Sequence, residues 1–218
     1  MQTKSREMHL AANWPVSNVQ ECLDRNECES LVSFLRERYQ ERFFLPISVL
    51  KTAEGNDQGY GMAMMSLCSL LIESIQCLRD GLPSTSRSEL KDLSNYSPPP
   101  EYEVLEAEWR RADAMSAFES FFTHFESDFP DIDGADFYRN IRCGLLHQAQ
   151  TKNGWRIRTD EPALCNRNDK VINRNLFAEA LEKAFGDYLN ELKKKDQPDC
   201  DIWKKARRKI YWLIRLSK

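Results

Sequence analysis

Between residues 62 and 79 the chain is almost continuously apolar, carrying Met65, Leu67, Leu70, Leu71, Ile75 and Leu78. The run is too long for a strand, and apolar side chains on every side mark a helix buried all round. It predicts a central helix about which the rest of the chain packs, closed by Gly81. Glu73 lies in its middle. An acid placed there is expected either to pair with an arginine or to lie at one exposed edge. The run falls short of the roughly 20 apolar residues that cross a bilayer, so no membrane span is expected. At 218 residues the chain has room for one domain with attachments, or at most two small ones.

The flanking pattern is helical too. Residues 1–15 read as a loose arm ending at Trp14-Pro15. Ser17 can cap a helix whose apolar positions recur as Val19, Leu23, Leu31, Phe34, Leu35 and Tyr39, and which Pro46 ends or bends. Residues 54–61 read as a turn, and 82–100, rich in Pro and Ser, as a mobile insertion or linker. A short helix is expected over 101–109. A Phe-rich helix comes next over 112–129, with His124 beside its apolar face in a structural role. Past Pro130, Phe137, Ile141 and Leu145 share one face of a further helix. Asn153-Gly154 marks a turn, and 155–158 with 163–165 or 171–172 suggests a hairpin. Asn173 caps the next helix. The reading is a mainly α chain: an arm (1–15), an antiparallel helical bundle with one small β-hairpin (16–195), and a basic C-terminal helix (196–218).

Charge is unevenly spread. The formal net charge is −3, but residues 193–218 hold ten Lys/Arg and three Asp, net +7, which leaves −10 for the remainder. The molecule is therefore no general polyanion binder. In the tail, Trp203, Ala206, Ile210, Leu213 and Ser217 form a helical stripe. That stripe is expected to dock on the bundle while its Lys and Arg residues supply positive charge for RNA. The competing readings are a last bundle helix with a solvated basic face, and a membrane-surface helix. The seven cysteines include no CxxC pair, so zinc is not expected and a reducing, cytoplasmic setting is. The N-terminal residues lack the apolar segment of a signal peptide.

Residues 137–159 stand apart, with five Lys/Arg, one His and no carboxylate. Arg139, Asn140, Arg142 and His147 fall within about three helical turns, and Lys152 lies in the turn beyond. Arg142 and His147, with four residues between them, point about 140° from each other on an ideal helix. Asn140 and His147 share a face. Histidine exchanges protons near neutral pH. Arginine grips a phosphate with a fork and stabilises charge building on it. This is a set for cleaving a phosphodiester without a metal or other cofactor, with the RNA 2′-hydroxyl as internal nucleophile. Arg142 and His147 are the catalytic candidates, and Arg139, Asn140 and Lys152 the substrate-binding ones. One chain offers one well-placed His, and a two-fold dimer would bring two into one cleft. The competing reading has both arginines paired with acids on neighbouring helices and His147 capping a helix end. Gly144, costly inside a helix, predicts a close helix crossing, across the dimer interface.

In the stretch Arg139-Asn140-Ile141-Arg142-Cys143-Gly144-Leu145-Leu146-His147, within this all-helical setting, the chain resembles the HEPN superfamily (higher eukaryotes and prokaryotes nucleotide-binding domains). The resemblance spans roughly residues 16–192. It implies a compact, usually dimeric bundle whose Arg and His, four to six residues apart, lie near the end of a late helix. It further implies a metal-independent endoribonuclease of a defence or toxin–antitoxin system, with RNA as substrate and a regulatory protein as partner. Cys143 stands where active members often carry a polar residue. Ala149 stands where some toxin–antitoxin members carry a Tyr that is modified. The alternative implied is a non-catalytic module that binds a nucleotide or RNA, or scaffolds a partner.

Overall fold

The structure, a computed structural model, describes residues 7–52, 60–93, 95–195 and 197–217. The chain opens with two short strands, β1 (His9–Ala11) and β2 (Trp14–Pro15), paired antiparallel. α1 (Val16–Asp24) and α2 (Cys28–Tyr39) come next. From residue 9 on the expected arm is docked rather than loose. Glu37 accepts from the Asn13 amide and from the Asn13 and Trp14 side chains, and Glu41 accepts from the Ala12 amide. Arg38 and Arg42 both donate to the Leu10 carbonyl. Glu37 and Arg38, late in α2, and Glu41 and Arg42 just beyond it thus hold the N-terminal strands.

The single helix expected from Ser17 is two. Asn26 adopts a left-handed conformation (φ 56°) and breaks it. Ser17 is no cap: α1 begins at Val16, and the Ser17 amide is met by the Glu7 carboxylate. Pro46 ends nothing. A π-turn over Gln40–Phe44 leads directly into α3 (Leu45–Thr52), with Pro46 in its first turn. The wider turn absorbs the irregularity that a missing N–H brings to a helical ladder.

α4 (Tyr60–Asp80) is the buried hub: Met64, Met65, Cys68, Leu71, Ile72, Ile75 and Leu78 are wholly enclosed. By length and composition it could cross a membrane, with a mean hydropathy of 1.5 over its best window, but most of that window is buried inside the protein. It packs on α3 and the π-turn before α3, and on six elements further along the chain. The turn expected over 54–61 lies outside the described residues except for Tyr60 and Gly61, which open α4.

Then come α5 (Arg87–Leu93), α6 (Glu106–Arg111) and α7 (Ala114–His124). Asp113 caps α7 through the amides of Met115 and Ser116. The Phe-rich face is as expected, with Phe118, Phe121, Phe122, Phe125 and Phe129 buried and Phe137 stacked on Phe177 at 5.3 Å. α8 (Gly134–Phe137), a π-turn (Tyr138–Arg142) and α9 (Cys143–Gln148) make one bent helix.

The expected hairpin is instead a three-stranded sheet of β3 (Arg156–Arg158), β4 (Cys165–Asn166) and β5 (Val171–Asn173), in the order β3-β5-β4. β3 runs parallel to β5, and only β4 and β5 pair antiparallel. The Asn173 side chain enforces this. It donates to the Thr159 and Glu161 carbonyls, folding the connecting loop back, and caps α10 (Arg174–Lys194) through the amides of Asn175 and Leu176.

The last helix, α11 (Asp201–Arg215), is core. Trp203, Ala206, Ile210, Trp212 and Ile214 are buried. Its basic residues are largely consumed within the fold. Arg208 donates to the carbonyls of Asp80, Gly81 and Glu103 and pairs with Glu108 at 2.8 Å. Lys209, 8% exposed, donates to Pro83 O at 2.6 Å, and Trp212 to Tyr102 O at 3.0 Å. The same contacts order the supposed linker: Leu90, Leu93 and Ala112 form a second small core with Trp212. Gly81, at φ 69°, is required there, because a Cβ would lie 2.8 Å from Lys205 Cα.

Candidate functional site

The π-turn sets the geometry of the motif helix. It holds Arg139, Asn140 and Arg142, and rotates α8 relative to α9. The Asn140–His147 face expected from regular helical spacing is thereby lost. Asn140 is 6% exposed, whereas His147 is exposed on the last turn of α9.

Arg142 faces the central helix. Its Nε donates to Glu73 Oε1 at 2.7 Å, and the two side chains are only 18% and 14% exposed. The acid in the middle of the apolar helix thus pairs with an arginine, and that arginine is the motif's own. Glu73 Oε2 is taken by the Thr85 hydroxyl at 3.1 Å. Burial alone would lower the Arg142 pKa, but the hydrogen bond and charge of Glu73 carry it above its ordinary value. The two terminal nitrogens of Arg142 make no hydrogen bond among the described residues. The guanidinium also lies 5.4 Å from the Tyr138 ring centre. Burial, and then the neighbouring Cys143 thiol, hold the Tyr138 hydroxyl above its usual range. Cys143, the residue after the motif arginine, is therefore part of the wall around it.

Asn140 is spent inside the fold. Its Nδ2 donates to Asp136 at 2.6 Å, its Oδ1 accepts from Asn153 Nδ2 at 2.7 Å, and its carbonyl accepts from the Lys152 amide at 2.8 Å. It fastens the turn after α9 to the helix before it. Gly144 serves the same reversal. Ala149 takes a left-handed conformation (φ 53°), the chain folds back, and a Cβ on Gly144 would collide with the Gln150 carbonyl oxygen. The expected helix crossing at Gly144 is thus a contact with its own following turn. Lys152 is half-buried, its stem against Gly144.

Arg139 and His147 are exposed, and neither side chain makes a hydrogen bond or ion pair among the described residues. No hydrogen bond joins Arg142 to His147. Of the five candidates, then, Arg142 is fixed, Asn140 and Lys152 hold or line the turn, and Arg139 and His147 face solvent. Sequence reading missed Tyr138, Thr85 and Asp136. Asp136, four residues before Asn140, carried a signal in its spacing; Thr85, in a stretch read as linker, carried none. No family model, curated protein or solved structure matches this chain.

Proposed function

We propose that this protein is a HEPN-like helical module that acts as a metal-independent endoribonuclease. The observation that carries the reading is the fixing of Arg142. Glu73 holds its Nε edge, so the guanidinium is immobilised with its two terminal nitrogens unspent, a fork for one phosphate. On the same helix His147 stands in solvent with no hydrogen-bond partner among the described residues, placed to take or give a proton. In this reading Arg142 stabilises charge on the scissile phosphate and His147 activates the 2′-hydroxyl or protonates the leaving oxygen. Arg139 and Lys152 guide the flanking backbone, and Asn140 keeps the turn in place without touching RNA.

One histidine does not supply both acid and base, so a second copy is part of the proposal. Leu146, next to His147, and Leu70 on α4 are large apolar side chains 38% and 42% exposed, and α9 packs on α4. Leu146 supplies an exposed apolar contact beside His147 that a second copy can cover. The test is incubation of purified protein with single-stranded and structured RNA in EDTA. Cleavage to 2′,3′-cyclic phosphate ends, lost in His147→Ala, is the expected result; no cleavage, or equal cleavage by the variant, overturns it.

A second reading rests on the separation of roles: Arg142 is bound to Glu73, and no hydrogen bond joins it to His147. It is a binding module that holds RNA or a nucleotide without turnover. RNA retained by the wild type and released by Arg142→Ala, with no product in either, would select it.

A further inference from the structure

A cleft of about 300 Å³ opens between the end of α4 and the segment after it, α6, the start of α7, and α11. Asp80, Thr85, Arg111, Asp113, Ser116 and Ser120 line it, together with apolar side chains such as Leu82. Ligand sites are commonly clefts of this size with a few placed polar groups. Arg111, Ser116 and Ser120 are exposed, and Asp80, Thr85 and Asp113 are half-buried, so all six can be reached from solvent.

Much of the donor capacity on these walls is already spent. Thr85 donates its hydroxyl to Glu73 at 3.1 Å, and Ser116 donates its own to Asp113 at 2.7 Å. Both oxygens therefore offer only lone pairs to the cleft. Asp113 accepts from the Met115 and Ser116 amides and the Ser116 hydroxyl, which leaves a carboxylate some accepting capacity. Asp80 accepts only from the Gln76 side chain, at 3.0 Å, and its carboxylate makes no ion pair among the described residues. The cations whose charge it feels are held by others. Lys205 is paired with Asp201 and Arg208 with Glu108, both at 2.8 Å, and Arg79 is held by His124 and Glu191. Burial outweighs them and lifts the Asp80 pKa above the ordinary carboxylate value. A carboxylate with no cation on it, among acceptors, calls for a ligand that brings N–H donors and positive charge. Arg111 is the exception on these walls: it makes no hydrogen bond or ion pair among the described residues and is open to an acid.

We infer that this cleft binds a small organic amine, its ammonium group donating to Asp80, with the oxygens of Thr85, Asp113 and Ser116 as further acceptors. A carboxylate on the same molecule is met by Arg111, and a second ammonium by Asp113. The site is separate from the motif and stands whether or not the protein cleaves RNA.

The experiment titrates the full chain with putrescine, a diamine, and separately with γ-aminobutyrate, an amino acid, by NMR at fixed ionic strength. Saturable binding of either is expected, with the shifted amide signals centred on Asp80, Thr85 and Ser116. Tighter binding of γ-aminobutyrate, cancelled by Arg111→Gln, identifies an amino acid as the chemical source; tighter binding of putrescine identifies a polyamine. Asp80→Asn, which keeps the shape of the side chain and removes its charge, should weaken binding about tenfold, the scale of one charge-assisted hydrogen bond. Ser120→Phe, at an exposed position of α7, should fill the cleft and abolish binding, and it keeps the test open if Asp80→Asn does not fold. Four results would overturn the inference: no saturation by either amine, wild-type affinity in Asp80→Asn, wild-type affinity in Ser120→Phe, or shifts centred away from the cleft.

Discussion

Arg142 Nε and Glu73 Oε1 lie 2.7 Å apart although 69 residues separate them in the chain. The pair ties the motif helix to the hub helix, and both partners are largely shielded from water. Breaking it on one side strands the other charge. Glu73→Gln keeps the shape and removes the charge, so it should cost about 1–3 kcal/mol in urea unfolding. On the proposed function it should also lower RNA cleavage at least tenfold, because the arginine fork is no longer fixed. A double-mutant cycle with Arg142→Gln would give a coupling near zero if the contact contributed nothing.

Asn140 should behave as a structural residue. Asn140→Ala removes the tie to Asp136 and Asn153 and leaves buried groups unmet, a loss of about 1–3 kcal/mol. Cleavage per folded molecule should fall only as far as the turn loosens. If the variant is as stable as wild type yet inactive, Asn140 belongs to the chemistry instead.

Gly144→Ala places a methyl group against the Gln150 carbonyl, so the turn after α9 must shift. Overpacking of this kind costs about 1–3 kcal/mol. Thermal unfolding should show a lower Tm, while light scattering should report the same oligomeric state as wild type. A changed oligomeric state would restore Gly144 to an interface between copies.

Arg208→Ala should be among the most damaging single changes in the last helix, since it removes links to Asp80, Gly81, Glu103 and Glu108 at once. Hydrogen exchange should rise over residues 82–112 before it rises in α10. Deletion of 199–218 should leave an insoluble or molten protein rather than a folded one with weaker RNA binding.

His124 accepts from Arg79 through Nδ1, so its ring is neutral in the fold. Burial, and then the charge of Arg79, hold its pKa below the ordinary histidine value, with Glu191 opposing. The unfolded chain therefore binds a proton that the folded one resists. Its contribution to stability is complete above about pH 6.5 and fades as pH falls through the depressed value. Urea midpoints should drop between pH 7 and pH 5 in the wild type and drop less in His124→Gln.

The parts of the fold that sequence made legible are those with strong periodicity or a strong cap. α4, the Phe-rich face of α7, the Phe137–Ile141–Leu145 stripe and the Asn173 cap all arise from local pattern. The features that escaped depend on partners far along the chain. Nothing local tells Glu37 and Arg38 that an N-terminal strand will need them, or tells residues 82–100 that Trp212 will cover Leu90 and Leu93. The motif suffered similarly. Its residues were visible, but the π-turn that separates Asn140 from His147 has no periodic signature. That Arg142 would take Glu73 could be foreseen only as a pairing between an acid in need and some arginine.

The helix that closes the fold is also the last of these elements to be made. α11 packs on α1, on α4 and on the segment around Tyr102. During synthesis, residues 80–112 stay without their cover, and Trp212 without its slot, until α11 has left the ribosome. The apolar surfaces meanwhile exposed on α4 and α5 are those that a chaperone would hold or a protease would cut. Thr85, which holds the other oxygen of Glu73 behind Arg142, belongs to the same late-settling segment.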